Sequence, residues 1–215
     1  MAFPTTPANG DTHTVGSVTW SYNSTTDIWA QANTSGSGGG GSTEFISSTD
    51  ISNASTFDFT GFDASKYDIY KLFFSNIIPA TDGAHLKMYS SSNGGSSYDT
   101  SANQYSHITV FMQQSSAQFM GSMSASDRVD LTQGIGTDTG EEGGGSIEIT
   151  IFGAHLVQHT LFQFRSYYSG NNARKHQMLG GATRETAADV DAVRFELSAG
   201  NIASGTFTAY GMVNS

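Results

Sequence analysis

Cysteine is absent from this chain of 215 residues, which removes disulfide scaffolds, thiolate metal sites and cysteine nucleophiles together. Leucine occurs only seven times and charged residues make up 13% of the chain, so helical bundles and coiled coils are poorly supplied. Basic residues are few: nine Lys and Arg against nineteen acids give a formal charge of −10, and none of the nine precedes Lys66. That balance offers no surface for phosphates, so nucleic-acid binding is not expected. No run of about 18 apolar residues occurs, and the opening MAFPTTPANGDTH lacks the basic start and apolar stretch of a secretory signal. A soluble chain without membrane insertion is expected.

What the chain has in quantity is Gly (25), Ser (30), Thr (24), Phe (14) and Tyr (9), the material of strands joined by turns. Residues 1–32 read as a small β-hairpin module. Pro4, Pro7 and Asn9-Gly10 mark turns, Thr12 to Trp20 and Ile28 to Ala30 are strand-like, and Tyr22 to Asp27 form the reversal. So small a piece buries Trp20, Tyr22 and Trp29 only partly, which makes them candidates for attachment to another chain or to another copy of this one. Residues 33–43 hold a Gly/Ser tether, Ser35 to Ser42. Its G-x-G-x-x-G spacing, Gly36 to Gly41, neither follows a clear strand nor opens a helix.

Residues 44–215 carry about nine short stretches of two-residue alternation. The clearest are Ile147, Ile149 and Ile151, and Val193, Phe195 and Leu197. The others are Ser55 to Thr60, Tyr67 to Asn76, Ala84 to Ser90, Tyr105 to Met112, His159 to Tyr168, Lys175 to Ala182 and Thr206 to Val213. Tyr67 to Ile78 is apolar at both parities, which predicts a central strand covered on both sides. Asn93-Gly94-Gly95 predicts a tight hairpin turn, Thr137 to Ser146 a loop, and Ala187 to Asp191 one turn of helix. Many short strands with frequent turns predict an all-β fold, a jelly-roll-like antiparallel sandwich.

Catalytic motifs are missing: there is no G-x-S-x-G and no Walker loop, and nothing in the residue order nominates a glycosidase pair among the acids. His155 and His159 stand four apart, but in a strand that spacing is about 13 Å, too far for one zinc ion. His13, His85, His107 and His176 are scattered and read as surface or cross-strand residues. Asp138, Glu141 and Glu142, on the acidic loop, offer hard oxygens of the kind Ca²⁺ takes, as do Asp189 and Asp191, yet the EF-hand spacing is absent. No metal or cofactor is expected. Aromatic faces stack on sugar rings while amides and carboxylates bond the hydroxyls, so Tyr98, Asp99, Tyr167, Tyr168 and Asn171 are candidates for a glycan site.

Three stretches carry a family resemblance. FDFTGFDASKYDIYKLFFSNIIPATDGAHLKMYSSSNGGSSYD, Phe57 to Asp99, and DAVRFELSAGNIASGTFTAYGM, Asp191 to Met212, resemble the sandwich domain of tailed-bacteriophage virion proteins, especially fibre and receptor-binding components. PTTPANGDTHTVGSVTWSYNSTTDIWAQ, Pro4 to Gln31, is similar to a short module of phage fibre proteins. Residues Gln113 to Gly145 match nothing in that pattern. The resemblance implies a non-enzymatic protein on the virion exterior, bound to other virion proteins, assembled as a homotrimer and facing a host surface glycan. It leaves tail fibre and capsid decoration or head fibre both open, and implies no catalytic or ligand residues. A carbohydrate-active enzyme is the remaining alternative.

Overall fold

A computed structural model describes residues 4–15, 18–31, 42–114, 119–137 and 144–213. The Gly/Ser tether up to residue 41, and the acidic loop's Asp138, Glu141 and Glu142, lie outside the described residues. The chain divides into two units, one within residues 1–40 and one within 41–214. Among the described residues every regular element is a strand.

The small unit is a three-stranded antiparallel sheet of β1 (Thr12–Val15), β2 (Val18–Asn23) and β3 (Ile28–Gln31). Its turns follow from side chains that bond backbone. Asn23 Oδ1 accepts from the amides of Thr25 and Thr26, and Asn9 Oδ1 accepts from the amide of Ser24 at 3.0 Å. Gly10 adopts φ 88°, where a side chain would be strained, and its amide reaches the Tyr22 carbonyl at 2.9 Å. This is why the Pro-Ala-Asn-Gly-Asp run ends where β1 begins.

The large unit runs β4 (Thr43–Ala54), β5 (Thr56–Phe59), β6 (Tyr67–Pro79), β7 (Leu86–Ser91), β8 (Tyr105–Gln113), β9 (Phe119–Ser126), β10 (Val129–Asp130), β11 (Gly145–Phe152), β12 (Leu161–Ser169), β13 (Lys175–Arg184), β14 (Ala192–Leu197) and β15 (Ile202–Val213). One sheet has the order β4-β15-β6-β11-β12-β13-β8-β9 and the other β10-β7-β14-β5. β15 pairs with β4 and β6 in the first sheet, while β14 pairs with β5 and β7 in the second. Three consecutive strand pairs therefore bend from one sheet to the other side by side, the rolled ribbon of a jelly roll. The all-β antiparallel sandwich expected from the sequence is what forms, with sheets of unequal width.

Apolar side chains from both inner faces fill the space between the sheets. Phe207 is the hub: the rings of Phe57, Phe74 and Phe59 lie 4.6, 5.1 and 5.4 Å from its centroid, and Phe74 meets Phe195 at 4.6 Å. Each such pair contributes about 0.5–1.5 kcal/mol beyond area burial. Ile147, Ile149 and Ile151, and Val193, Phe195 and Leu197, point inward as their alternation requires.

Several local expectations are corrected. β6 is covered at both parities only at its end, where Ile77, Ile78 and Pro79 are all buried; before that Tyr70, Leu72 and Phe74 are buried, whereas Ile69, Lys71 and Phe73 are half-buried. Gly94 and Gly95 have positive φ as a turn needs, yet no hairpin follows, because β7 pairs with β10 and β14 and the chain goes on to β8 in the other sheet. Ala187 to Asp191 is not helical. It is an irregular, bent segment held by Arg184, which donates to the carbonyls of Ala188 and Asp189, and by the amide of Val190, which donates to Ala154. Of the two alternatives for His107 and His176, the cross-strand one holds: they stand opposite Ala182 and Tyr168 in register, and both are buried. β4, β9 and β10 lie outside the stretches of clear alternation. β4 is rich in Ser and Thr and is held by pairing, with Ser48 on Thr208 and Thr206 on Asp50.

Candidate functional site

Alternation along β8, β11, β12 and β13 sends every second side chain to the outside of the eight-stranded sheet. Register then places those side chains in rows. One row holds Ile108, Gly181, Gln163 and Thr150; the next on one side holds Val110, Leu179, Arg165 and Glu148; the next on the other holds Ser106, Thr183, Leu161 and Phe152. A further row holds Met112, Gln177, Tyr167 and Ser146. Three hollows run along this surface and share lining residues. One of about 770 Å³ lies around Gly181 between Ile108, Leu161 and Phe152. A second of about 620 Å³ adjoins it over Leu179 and Val110, and a third of about 420 Å³ lies beside Tyr167, Gln177 and Ser146.

The surface has two chemical ends. At the Gly181 end the largest exposed areas are apolar, with Ile108 65% and Leu161 52% exposed, beside the exposed Gln163. At the other end a Tyr167 ring, 57% exposed, sits among hydroxyl, amide and charged groups. Between them Arg165 donates from Nε and Nη2 to Glu148 Oε2, both at 2.7 Å. Glu148 is the one carboxylate at the outward positions of these four strands, and this pair cancels its charge.

The residues expected to form a glycan site are not brought together. Tyr98 lies against the outside of the four-stranded sheet, with the Arg194 guanidinium 4.2 Å from its ring centroid. Its neighbour Asp99 accepts from Nε of Arg184 at 2.7 Å and from the Ser90 hydroxyl at 3.2 Å, and Arg184 is 1% exposed. Asp99 is thus the counter-ion of a buried cation. Tyr168 is in the core; its hydroxyl accepts from the Gln133 amide at 2.7 Å, and burial pushes its phenol pKa upward. Asn171 is exposed in the β12–β13 turn, where its side chain lies over Gly83. Tyr167 alone of the five faces the hollows.

In the small unit, Trp20 and Tyr22 alternate on β2, and Trp29 stands directly opposite Tyr22 with ring centroids 5.4 Å apart. His13 lies opposite Trp20 and its ring is 6.1 Å from Trp29, so an aromatic face is assembled as the pattern suggests. Tyr22 donates to Asp27 Oδ1 at 2.5 Å, and this bond holds its pKa above the ordinary phenol value.

The histidines go to separate partners. His155 Nε2 faces Asp68 at 3.5 Å, and His159 Nδ1 faces Glu185 at 3.8 Å. Among the described residues no group of three or more His, Asp or Glu is arranged to hold a metal. His176 is wedged edge-on between Phe111 and Tyr168, each 5.1 Å away, and burial lowers its pKa and that of His107.

Sequence reasoning missed Arg165, Glu148, Gln177, Ile108, Leu161 and Gly181. A signal existed only for β8, where Ile108, Val110 and Met112 share one parity while His107 and Thr109 occupy the other. No protein-family model, curated protein or solved structure matches this chain.

Proposed function

We propose that this chain is a non-enzymatic structural protein of a bacteriophage virion, an adhesin that presents its sandwich to a host surface glycan. The observation that carries the reading is the polar end of the open sheet face. There one exposed aromatic plane, Tyr167, stands beside Gln177, Ser146 and the Arg165–Glu148 pair around a hollow of about 420 Å³. Sugars present both apolar ring faces and hydroxyl edges, and an aromatic ring flanked by amide, hydroxyl and charged groups meets both. The resemblance of Pro4 to Gln31, Phe57 to Asp99 and Asp191 to Met212 to virion proteins supports the setting. Display of many copies on one particle would raise a weak single contact by about 10²–10⁴-fold.

The test is binding of the full chain to host envelope polysaccharide, followed by chromatography of that polysaccharide. Intact polysaccharide and a loss of affinity of about tenfold or more in Tyr167→Ala are expected. Shortened products would turn the reading to an enzyme, and unaltered binding by Tyr167→Ala would remove the site. A capsid-decoration role is favoured by the aromatic face of Trp20, Tyr22 and Trp29 in the small unit. That role requires particle incorporation to fail on deletion of residues 1–32 while binding to polysaccharide is absent from the start.

A further inference from the structure

Adjacent glycines on β13 meet opposite fates. A Cβ at Gly180, on the inner side, would lie 2.2 Å from Cζ of Phe164, so the chain fills that space with its own ring. A Cβ at Gly181, on the outer side, would find no atom nearer than the Phe162 carbonyl oxygen at 3.9 Å. Above Gly181 lies the hollow of about 770 Å³ walled by Ile108, Leu161 and Phe152. Phe152 and Leu161 are also the two ends of a loop, and that loop carries Leu156 and Val157, the latter 80% exposed. An apolar pit and an apolar knob thus stand unfilled on one chain. Single exposed apolar residues are ordinary, but a contiguous group of this kind marks an interaction surface.

Electrostatics selects the partner. Copies of a chain with a formal charge of −10 repel one another wherever their acids meet. Across β8, β11, β12 and β13 the outward positions hold only Glu148, which Arg165 neutralises. At the rim, Glu185 accepts from the hydroxyl of Ser106 and faces His159 at 3.8 Å, and Asp68 faces His155 at 3.5 Å. Like-charged copies therefore meet no unpaired acid at these outward positions. We propose that a second copy of this chain docks here, its Leu156 and Val157 entering the pit above Gly181. A knob and a pit at different places on one surface are what lets identical subunits associate.

Light scattering of the full chain across the micromolar range tests this. A mass rising with concentration above 22.8 kDa is expected. Val157→Asp and Gly181→Arg should each weaken association about tenfold or more, and the double variant should remain monomeric. The Cβ of Gly181→Arg meets only the Phe162 carbonyl oxygen, at van der Waals distance, so its circular dichroism should match the parent and its melting should not fall below it. Tyr167→Ala should keep the parent mass while losing polysaccharide, which separates this contact from the glycan reading. A parent chain that stays monomeric, association that persists in the double variant, or equal loss of association in Tyr167→Ala would each overturn the proposal.

Discussion

On the outside of the four-stranded sheet, Asp58 clamps Arg194 through two bonds of 2.7 Å, Lys87 pairs with Glu196 at 2.8 Å, and Arg128 pairs with Asp130 at 2.9 Å. Tyr98 and Tyr89 belong to the same network, one stacked on Arg194 and the other donating to Glu196 at 3.0 Å. Among the described residues, the outside of the eight-stranded sheet has one such pair, Arg165 with Glu148, amid Ile108, Leu161, Leu179, Phe152 and Tyr167. A face whose polar groups already bond one another has little to offer a partner, since binding there would first have to break those bonds. The other face leaves apolar area and sugar-compatible groups uncommitted. Opposed faces of one sandwich thus differ in whether the chain has completed its own contacts.

That contrast breaks most completely if a completed contact is removed from inside. Arg184 is fully buried, bonded to Asp99 and to the carbonyls of Ala188 and Asp189. Arg184→Ala leaves that carboxylate without its counter-ion and those carbonyls without the guanidinium donor, and should cost about 3–5 kcal/mol. Urea unfolding measures it, and the joint Arg184→Met, Asp99→Leu variant should recover much of the loss. A smaller effect sharpens the comparison across a single peptide bond. Gly180→Ala must displace the Phe164 ring and should lose about 1–3 kcal/mol. Gly181→Ala, on the open side, should gain about 0.5–1 kcal/mol by restricting the unfolded chain. Melting temperatures moving in opposite directions would establish that only the inner face is closed at β13.

The smallest expected effect is a pH dependence of the closed interior. Burial lowers the pKa of His176, with the Arg174 charge adding to it, and burial also lowers that of His107. Asp130 opposes the shift at His107, Arg128 reinforces it, and Phe111 and Tyr168 face His176 with rings alone. A histidine with a depressed folded pKa is bound more tightly by protons in the unfolded chain. Stability is therefore complete above the unfolded value near 6.5 and falls as pH drops below it. His176→Phe keeps the ring contacts and should flatten part of that fall when melting is followed from neutral to mildly acidic pH. A slope unchanged by the substitution would assign the dependence to other groups.

How much was legible varies strand by strand. β11 and β14 could be read outright, because three apolar residues at one parity beside polar neighbours have only one way to face a core. β4 is not legible in the sequence because Ser and Thr carry no hydrophobic alternation, and its place comes from pairing with β15. β8 is the instructive case. By hydrophobicity alone Ile108 and Val110 belong inside, yet Tyr105, His107 and Thr109 take the inner positions. The Tyr105 hydroxyl accepts from the Ser90 amide at 2.7 Å, and burial pushes its pKa up to about 12. Opposite it in register stands Arg184 with its own buried partners. A slip by one residue would turn both outward and strand their bonds, so polar anchoring overrode the apolar preference and left Ile108 in solvent.

The candidate site divides in the same way. Tyr167 could be nominated from residue type, whereas Tyr98, Asp99, Tyr168 and Asn171 could not be rejected until their partners were visible. Composition and alternation determined that this chain would be all strands and turns, because those signals act over a few residues. Which face closed, which glycine was filled and which tyrosine stayed open depended on pairings between residues as far apart as Asp99 and Arg184. Only the assembled sheets decide such contacts, since a side chain's exposure is set by what the rest of the fold lays over it.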